Sequence, residues 1–339
     1  MPVAKGITLR DLVNALLDEN SPFPARYLHH FSDLAPIEQD LLQKIWSQVS
    51  LRRRQALMED LEQLGDADDL LNFEQVCRLA LRDSDAQVRA GAVRILATYE
   101  GMEFLPFFLD IAEHDEAASV REAAVLALGP YVYMAEVDLL NARVRRDLED
   151  KLLSIAGGKD EAASAVRMQA LESLGYTSRV EINPLIEAAY SNGDRQWLCA
   201  ALFAMGRSAN SDWESKVLPM LDDRRPEVRL EAATAAGGLE SKAAVQRLLE
   251  LLDDDDIQVR LAAIWALSEI GGPGVRNALT TMLENTEDEE EAQLLEDALD
   301  NLSFTDGSGG FELLDVGEGD EEDDEDLDYF EEDEEDVED

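Results

Sequence analysis

Aromatic residues, cysteine and histidine are scarce in this chain of 339 residues. Aromatic residues make up 6% of it, and there are two cysteines and three histidines. Cys77 and Cys199 lack the CxxC spacing of a redox or zinc motif and are typical of small buried side chains in a reducing compartment. No apolar run approaches the length of a membrane span, and residues 1–6 contain no hydrophobic signal core. We therefore expect a cytoplasmic protein that does not insert into a membrane.

Basic residues are also few. The chain has 29 Lys and Arg against 75 Asp and Glu, a net charge of −46. A nucleic-acid-binding protein needs clustered cations that displace the counterions of the phosphate backbone, and this balance is the opposite. The composition therefore excludes nucleic acid as an expected partner.

The acidic charge is concentrated at the C-terminus, where residues 306–339 contain 20 acidic residues and no Lys or Arg. A Gly-Ser-rich joint precedes them, and such a segment cannot bury enough apolar surface to offset its ordering entropy. We predict a disordered acidic tail over 304–339. Leu327, Tyr329 and Phe330 form an apolar anchor that could bind a basic partner after electrostatic capture. The alternative is a tail that only promotes solubility.

The first 65 residues predict a helical cap. Thr8 precedes a run with leucines on one face and has the side chain of a helix N-cap. Two proline residues around Phe23 end that run, because proline removes a backbone donor and forces its predecessor to be extended. Two further helices are expected over 37–48 and 51–63. We interpret 1–65 as the atypical end unit that a repeat array needs.

A repeated Val-Arg pair follows, each with Ala four positions after the Val and usually Gly eight positions after the Arg. In one unit Trp197 and Leu198 replace the pair, while Ala201 and Gly206 keep the spacing. The Arg position of the units is residue 89, 121, 167, 198 (here Leu), 229 and 260. The last three intervals between these positions are equal, and one longer interval marks an insertion around 131–140. Equal steps of this length predict stacked helix pairs, an all-α solenoid over 66–303.

The repeat resembles the HEAT repeat, in the short form found in the phycobilisome-lyase HEAT-like family. The match is carried by Asp256, Val259, Arg260, Ala263 and Leu267 at their spacing. The resemblance implies a right-handed α-α superhelix in which the second helix of each pair lines the concave side. It also implies that the repeated Arg is structural and pairs with an Asp four residues earlier. These structural positions are Asp85, Arg89, Arg121, Arg167, Arg229, Asp256 and Arg260.

Two basic clusters stand out on the acidic body, Arg52–Arg54 and the group Arg143, Arg145 and Arg146. They are interpreted as solvated helix faces, with docking of the acidic tail as the alternative.

Helical phase predicts an apolar patch on the second helices. Counted from the Val, positions 2 and 6 point away from the core stripe. In the last three full units these positions hold mostly apolar residues, and exposed apolar patches mark binding sites. The alternative is that neighbouring helices cover them. The predicted patch consists of Cys199, Phe203, Leu230, Leu261 and Trp265.

No catalytic or cofactor-binding arrangement is apparent. His29, His30 and His114 do not form the His-Glu dipeptides of the HEAT-like deoxyhypusine hydroxylases, and no metal-ligand spacing is present. We therefore expect no metal and no cofactor, and a monomeric, non-enzymatic scaffold that binds one or more protein partners. The alternative is an enzyme or enzyme subunit of the phycobilisome-lyase type, since that family includes chromophore lyases with no short motif to test.

Overall fold

The computed structural model describes residues 7–99, 101–159 and 163–305. Within these ranges the secondary structure is helical, without a strand. The fold is the all-α, right-handed α-α superhelix that the sequence predicts. The described residues include no helix that is long and apolar enough to cross a bilayer.

Three α-helices precede the repeated pairs: α1 (Leu9–Leu17), α2 (Pro36–Ile45) and α3 (Leu51–Ala67). Thr8 caps α1 as predicted: its Oγ1 accepts from the backbone N–H of Asp11 at 3.2 Å, and Asp11 Oδ2 accepts from the N–H of Thr8 at 3.0 Å. These two bonds between Thr8 and Asp11 satisfy N–H groups that the start of α1 would otherwise leave unpaired. The chain then turns at Pro22 and Pro24 into a short 3-10 helix, Ala25–Phe31.

Seven helix pairs follow within the ranges that the structure describes. The first helices of the pairs are α4 (Glu74–Ala80), α6 (Leu105–His114), α8 (Ala142–Ala156), α10 (Asn183–Tyr190), α12 (Glu214–Val217), α14 (Val245–Leu251) and α16 (Val275–Asn285). The second helices are α5 (Ala86–Ala97), α7 (Ala118–Glu136), α9 (Ser164–Ser173), α11 (Arg195–Arg207), α13 (Pro226–Gly238), α15 (Ile257–Ile270) and α17 (Glu289–Thr305). The second helices pack on one another in chain order, and α3 extends this layer at the N-terminal end.

Small residues let the second helices approach closely. A Cβ atom placed on Gly206 would lie 2.6 Å from the Cα of Ala235, and one on Gly237 would lie 3.0 Å from the Cα of Ala266. These glycines are the ones that recur eight positions after the Arg of the repeat. Because a Cβ needs about 3.5 Å from another carbon, glycine permits the close approach of α11 to α13 and of α13 to α15.

The first helices are more widely spaced. Grooves of about 970 Å³ and 590 Å³ open between α6 and α8 and between α14 and α16. In a curved two-layer array, the closely spaced layer lies on the inside of the curve. The second helices therefore form the concave side, and we call their surface turned away from the first helices the inner face.

The insertion in the repeat lengthens two helices instead of adding one. α7 has 19 residues and α8 has 15, whereas α5 has 12 and α6 has 10. Pro130 lies inside α7. At the other end of the chain, α17 continues to Thr305. The tail predicted over 304–339 overlaps the last two residues of α17. From residue 306 onward, with Leu327, Tyr329 and Phe330, it lies outside the described residues.

Candidate partner-binding face

The repeated Arg joins one repeat to the next. Arg89 binds the carboxylate of Asp115 through two bonds, Nε to Oδ2 at 2.8 Å and Nη2 to Oδ1 at 2.9 Å. Its Nη1 donates to the backbone carbonyl of Asp83 at 2.9 Å. Arg229 repeats this geometry with Asp254, with both bonds 2.7 Å long. The hydrogen bond from Arg229 is the main reason that the pKa of Asp254 lies below its usual range.

The predicted pairing of this Arg with the Asp four residues earlier is wrong. Asp85 caps its own helix by accepting from the N–H groups of Gln87 and Val88, both at 3.1 Å. Asp256 caps α15 in the same way. The carboxylate turns toward the free N–H groups of the helix start, so that the guanidinium binds the acid of the following loop instead.

The contacts at the other repeated positions vary. Arg121 donates to the carbonyl of Asp115 at 2.7 Å, and the guanidinium of Arg167 lies 5.0 Å from the ring centre of Trp197. Arg260 donates to the carbonyl of Asp254 at 2.9 Å, and its Nε lies 3.5 Å from Glu291. All of these contacts are made within or between repeats, which is a structural use of the side chain.

Two departures from the repeat compensate for each other. Leu198 stands where the other units have Arg, so the loop acid of the next repeat, Asp223, receives no guanidinium from that side. Arg225, in place of the usual capping Asp, binds Asp223 through two bonds of 2.9 Å. That hydrogen bonding lowers the pKa of Asp223 to about 2.

The basic clusters are largely engaged within the fold. Arg53 donates to the carbonyls of Asp18 and Ser21, each at 2.6 Å. Arg54 lies 3.3 Å from Asp83, and Arg145 binds Glu136 at 2.7 Å. Exposed guanidinium groups remain at Arg52, Arg143 and Arg146.

The predicted apolar patch lies on the inner face. Trp265 is 43% exposed, and its Nε1 donates to Glu269 Oε1 at 3.0 Å. Neighbouring helices therefore leave Trp265 accessible, whereas Cys199, Leu230 and Leu261 pack in part against the hydrophobic core. The four other members are partly buried: Cys199, Phe203, Leu230 and Leu261. We call these five residues the apolar row.

An Arg between two aromatic rings lies next to the apolar row. The guanidinium carbon of Arg207 is 4.0 Å from the ring centre of Phe203 and 4.5 Å from that of Tyr176. Tyr133 packs edge-on against Tyr176 with ring centres 5.3 Å apart. Sequence analysis missed Arg207, Tyr176 and Tyr133. It left Leu126, which is 53% exposed on α7, out of the patch because the earlier units are mixed in character at positions 2 and 6. The signal was available, because counting from the start of each unit places Leu126 at position 6 and both Tyr176 and Arg207 at position 10, one turn further. Tyr133 lies at position 13, a second turn beyond position 6.

Two partly buried carboxylates flank Arg207. Burial raises the pKa of Glu231 to about 7, with repulsion from Glu172 adding to it and Arg207 opposing it. Burial likewise raises the pKa of Glu172, and Glu122 adds to that rise. Burial lowers the pKa of Arg207. Perturbed groups of this kind cluster at functional sites, although structural networks produce them too.

The histidines and cysteines form no metal-binding group within the described residues. No group of three or more His, Cys, Asp or Glu residues is arranged for a metal ion within the part of the chain that the structure describes. His114 lies 3.1 Å from Asp110 on the same helix. Burial raises the pKa of Cys199 to about 11, which keeps this side chain a thiol at neutral pH.

Comparisons with known proteins agree with this architecture. The sequence model that describes HEAT repeats matches residues 73–158, 182–256 and 214–300. Among curated proteins, none matches the chain. Similar solved structures include YibA from Escherichia coli, 18% identical with a TM-score of 0.47, over 84% of this chain and 98% of that chain.

Two further similar structures are those of a lyase complex and of a hydroxylase. The complex of CpcE and CpcF of phycocyanin lyase from Nostoc is 20% identical with a TM-score of 0.45, over 68% of this chain and 94% of that chain. Human deoxyhypusine hydroxylase is 20% identical with a TM-score of 0.36, over 87% of this chain and 96% of that chain. These likenesses concern the fold alone. Because the matched repeats span more than half of the sequence, the chain belongs to the HEAT-repeat family.

Proposed function

We propose that the protein is a non-enzymatic interaction scaffold that binds a protein partner on its inner face. The observation that carries this proposal is the apolar row, in which side chains of α11, α13 and α15 stay at least partly accessible. Core positions of the same helices are fully buried, as Val228 and Val259 show. Apolar side chains that remain accessible in a row across stacked helices support a binding surface.

Ion pairs between neighbouring repeats hold this surface in a fixed shape before a partner binds. The bonds from Arg89 to Asp115 and from Arg229 to Asp254 fix neighbouring repeats relative to each other. A rigid surface loses little conformational entropy when a partner docks. The acidic tail outside the described residues is proposed to add electrostatic capture of the same partner before the apolar contacts form.

The test is affinity capture from the native cell with the full chain and with the double variant Phe203→Ala, Trp265→Ala. We expect the double variant to lose the captured partner while it keeps the helical circular dichroism spectrum of the wild type. The matched control is Leu70→Ala with Leu139→Ala, two exposed leucines away from the inner face. Equal capture by the wild type and both double variants would contradict the proposal.

Deletion of residues 306–339 forms a separate arm of this experiment. If the tail captures the partner, the deletion slows association at low salt and changes the rate little at high salt. An unchanged association rate at low salt would leave the inner face alone responsible for binding.

A further inference from the structure

We propose that a pocket between the third and fourth helix pairs binds a carboxylate group carried on an apolar body. The pocket shares no residue with the apolar row, so this site goes beyond the scaffold function. It is carried by Arg167, a repeated Arg that faces an amide where other repeats supply an acid.

The loop before a second helix carries the acid that pairs with the Arg of the preceding repeat. Asp115 and Asp254 are two such acids, and each also accepts the backbone N–H of the residue two positions later, at 2.9 Å. In the loop before α11 this position holds Asn192, whose Oδ1 accepts from the N–H of Asp194 at 3.3 Å. The shared bond identifies Asn192 as an amide in the place of a loop acid.

This replacement removes the acceptor that the guanidinium of Arg167 would bind. With its Oδ1 on Asp194, the side chain of Asn192 presents an NH2 group where the loop acids present their second oxygen. A guanidinium has only donors, so the two groups cannot pair. Instead, Arg167 Nε donates to the carbonyl of Ala156 at 3.4 Å, and the guanidinium stacks 5.0 Å from the ring centre of Trp197. No carboxylate among the described residues pairs with Arg167.

A pocket of about 440 Å³ opens beside these two donors. It lies at the ends of α8 and α10 and at the starts of α9 and α11. Its size is within the range of small-molecule sites, about 300–1,000 Å³. Besides Arg167 and Asn192, the lining includes the apolar side chains Met168, Leu171, Leu185 and Ala189.

A carboxylate satisfies both donors at once. Its two oxygens match the fork of N–H groups on a guanidinium, and such charge-assisted bonds are stronger than bonds between neutral groups. Stacking on Trp197 covers the face of the Arg167 guanidinium and leaves its N–H edge available. The apolar part of the ligand then packs against the leucine and methionine side chains of the lining.

Asp194 is the other charged residue of the lining. Its Oδ1 accepts from the N–H groups of Gln196 and Trp197, at 2.8 and 3.3 Å. The positive end of the α11 dipole therefore offsets part of the repulsion between Asp194 and a bound anion. Arg167 remains the cation that a ligand of opposite charge can pair with.

The test uses 4-phenylbutyrate and its neutral amide, 4-phenylbutyramide, with the full chain labelled with fluorotryptophan. The chain has four tryptophans, and Trp197→Phe assigns the fluorine NMR signal at the pocket. The signal of Trp265 reports on the inner face and serves as the internal control. We expect the acid to shift the Trp197 signal with a Kd of about 1 mM, as is usual for so small a ligand, and the amide to bind at least about tenfold more weakly.

Asn192→Asp is the most informative variant, because it restores the carboxylate that other repeats have. The new side chain is expected to bind Arg167, so that binding of 4-phenylbutyrate falls at least about tenfold while stability to urea stays the same or rises. Asn277→Asp adds the same charge at an exposed site on α16 and is expected to change binding less than about twofold. Arg167→Gln is expected to weaken binding at least about tenfold.

A chain that ends at residue 305 identifies the source of the native carboxylate. If the acidic tail places one of its carboxylates in the pocket, removal of 306–339 strengthens the binding of 4-phenylbutyrate, because a competitor is lost. Equal binding by the two chains indicates a separate acid as the native ligand. Either result supports the carboxylate site.

Four results would overturn it: equal binding of the acid and the amide, unchanged binding by the Asn192→Asp protein, no shift of the Trp197 signal, or equal shifts of the Trp197 and Trp265 signals. A fifth concerns Asp160 and Glu161, which precede α9 and lie outside the described residues. If Asp160→Asn with Glu161→Gln tightens binding at least about tenfold, these acids already bind Arg167 and the pocket is not a ligand site.

Discussion

Gly206 gives the sharpest test of how closely the second helices pack. Replacing it by alanine places a Cβ atom 2.6 Å from the Cα of Ala235 in the next helix. Two carbons pack at about 3.5–4.0 Å, so α11 and α13 would have to separate by about 1 Å. The atom in the way belongs to the backbone and cannot rotate aside. Overpacking of this kind costs about 1–3 kcal/mol, and the better helix propensity of alanine offsets up to about 1 kcal/mol. We expect a net loss of about 1–2 kcal/mol.

The control for this substitution is Gly65→Ala in α3. A Cβ atom there would meet Phe73 at 3.8 Å, an ordinary contact. Its stability is therefore expected to stay the same or to rise by less than about 1 kcal/mol. Gly237→Ala, with 3.0 Å to the Cα of Ala266, is expected to lie between the two.

Urea unfolding followed by circular dichroism measures the change, and hydrogen exchange locates it. Because each repeat contacts only its neighbours, a repeat array can lose stability locally, and exchange should rise first in α11 and α13. A Gly206→Ala protein as stable as the Gly65→Ala protein would refute the reasoning. The second helices would then be farther apart than this packing requires.

Two further predictions concern charge. Glu231 has a folded-state pKa of about 7 against an ordinary value of 4.5, so the folded state binds the extra proton and stability falls as the pH rises between these values. Glu231→Gln is therefore expected to match the wild-type free energy of unfolding near about pH 4 and to exceed it by about 1–3 kcal/mol near about pH 8 in urea unfolding. An equal difference at both pH values would contradict the burial of the Glu231 carboxylate, which is the main cause of its raised pKa. Arg225→Ala is expected to lower the free energy of unfolding in the natural chain and to change it little once Leu198→Arg restores the guanidinium to Asp223. A double-mutant cycle measures this coupling, and strict additivity would refute it.

The candidate site was predictable only in part. Counting from the repeated Val placed Phe203 and Trp265 on the face away from the core, because helical phase depends only on spacing along one helix. It missed the neighbours that give the face its chemistry, Arg207, Tyr176 and Glu231. These residues come together from three different helices, and their proximity depends on how far each helix is shifted along the next.

The sequence by itself determined the helices and the repeat interval of the array. Leucine and alanine spacing, the cap at Thr8 and the glycines that permit close packing all act within one helix or at a fixed repeat distance, and the structure has the all-α superhelix that they predict. Only the tertiary structure decided which acid each Arg binds. Arg89 pairs with Asp115 in the next loop and leaves Asp85, four residues away, to cap its helix. The reason is that the N–H groups at the helix start and the Arg guanidinium compete for the same nearby carboxylate. The next repeat supplies a second carboxylate, so both groups obtain a partner.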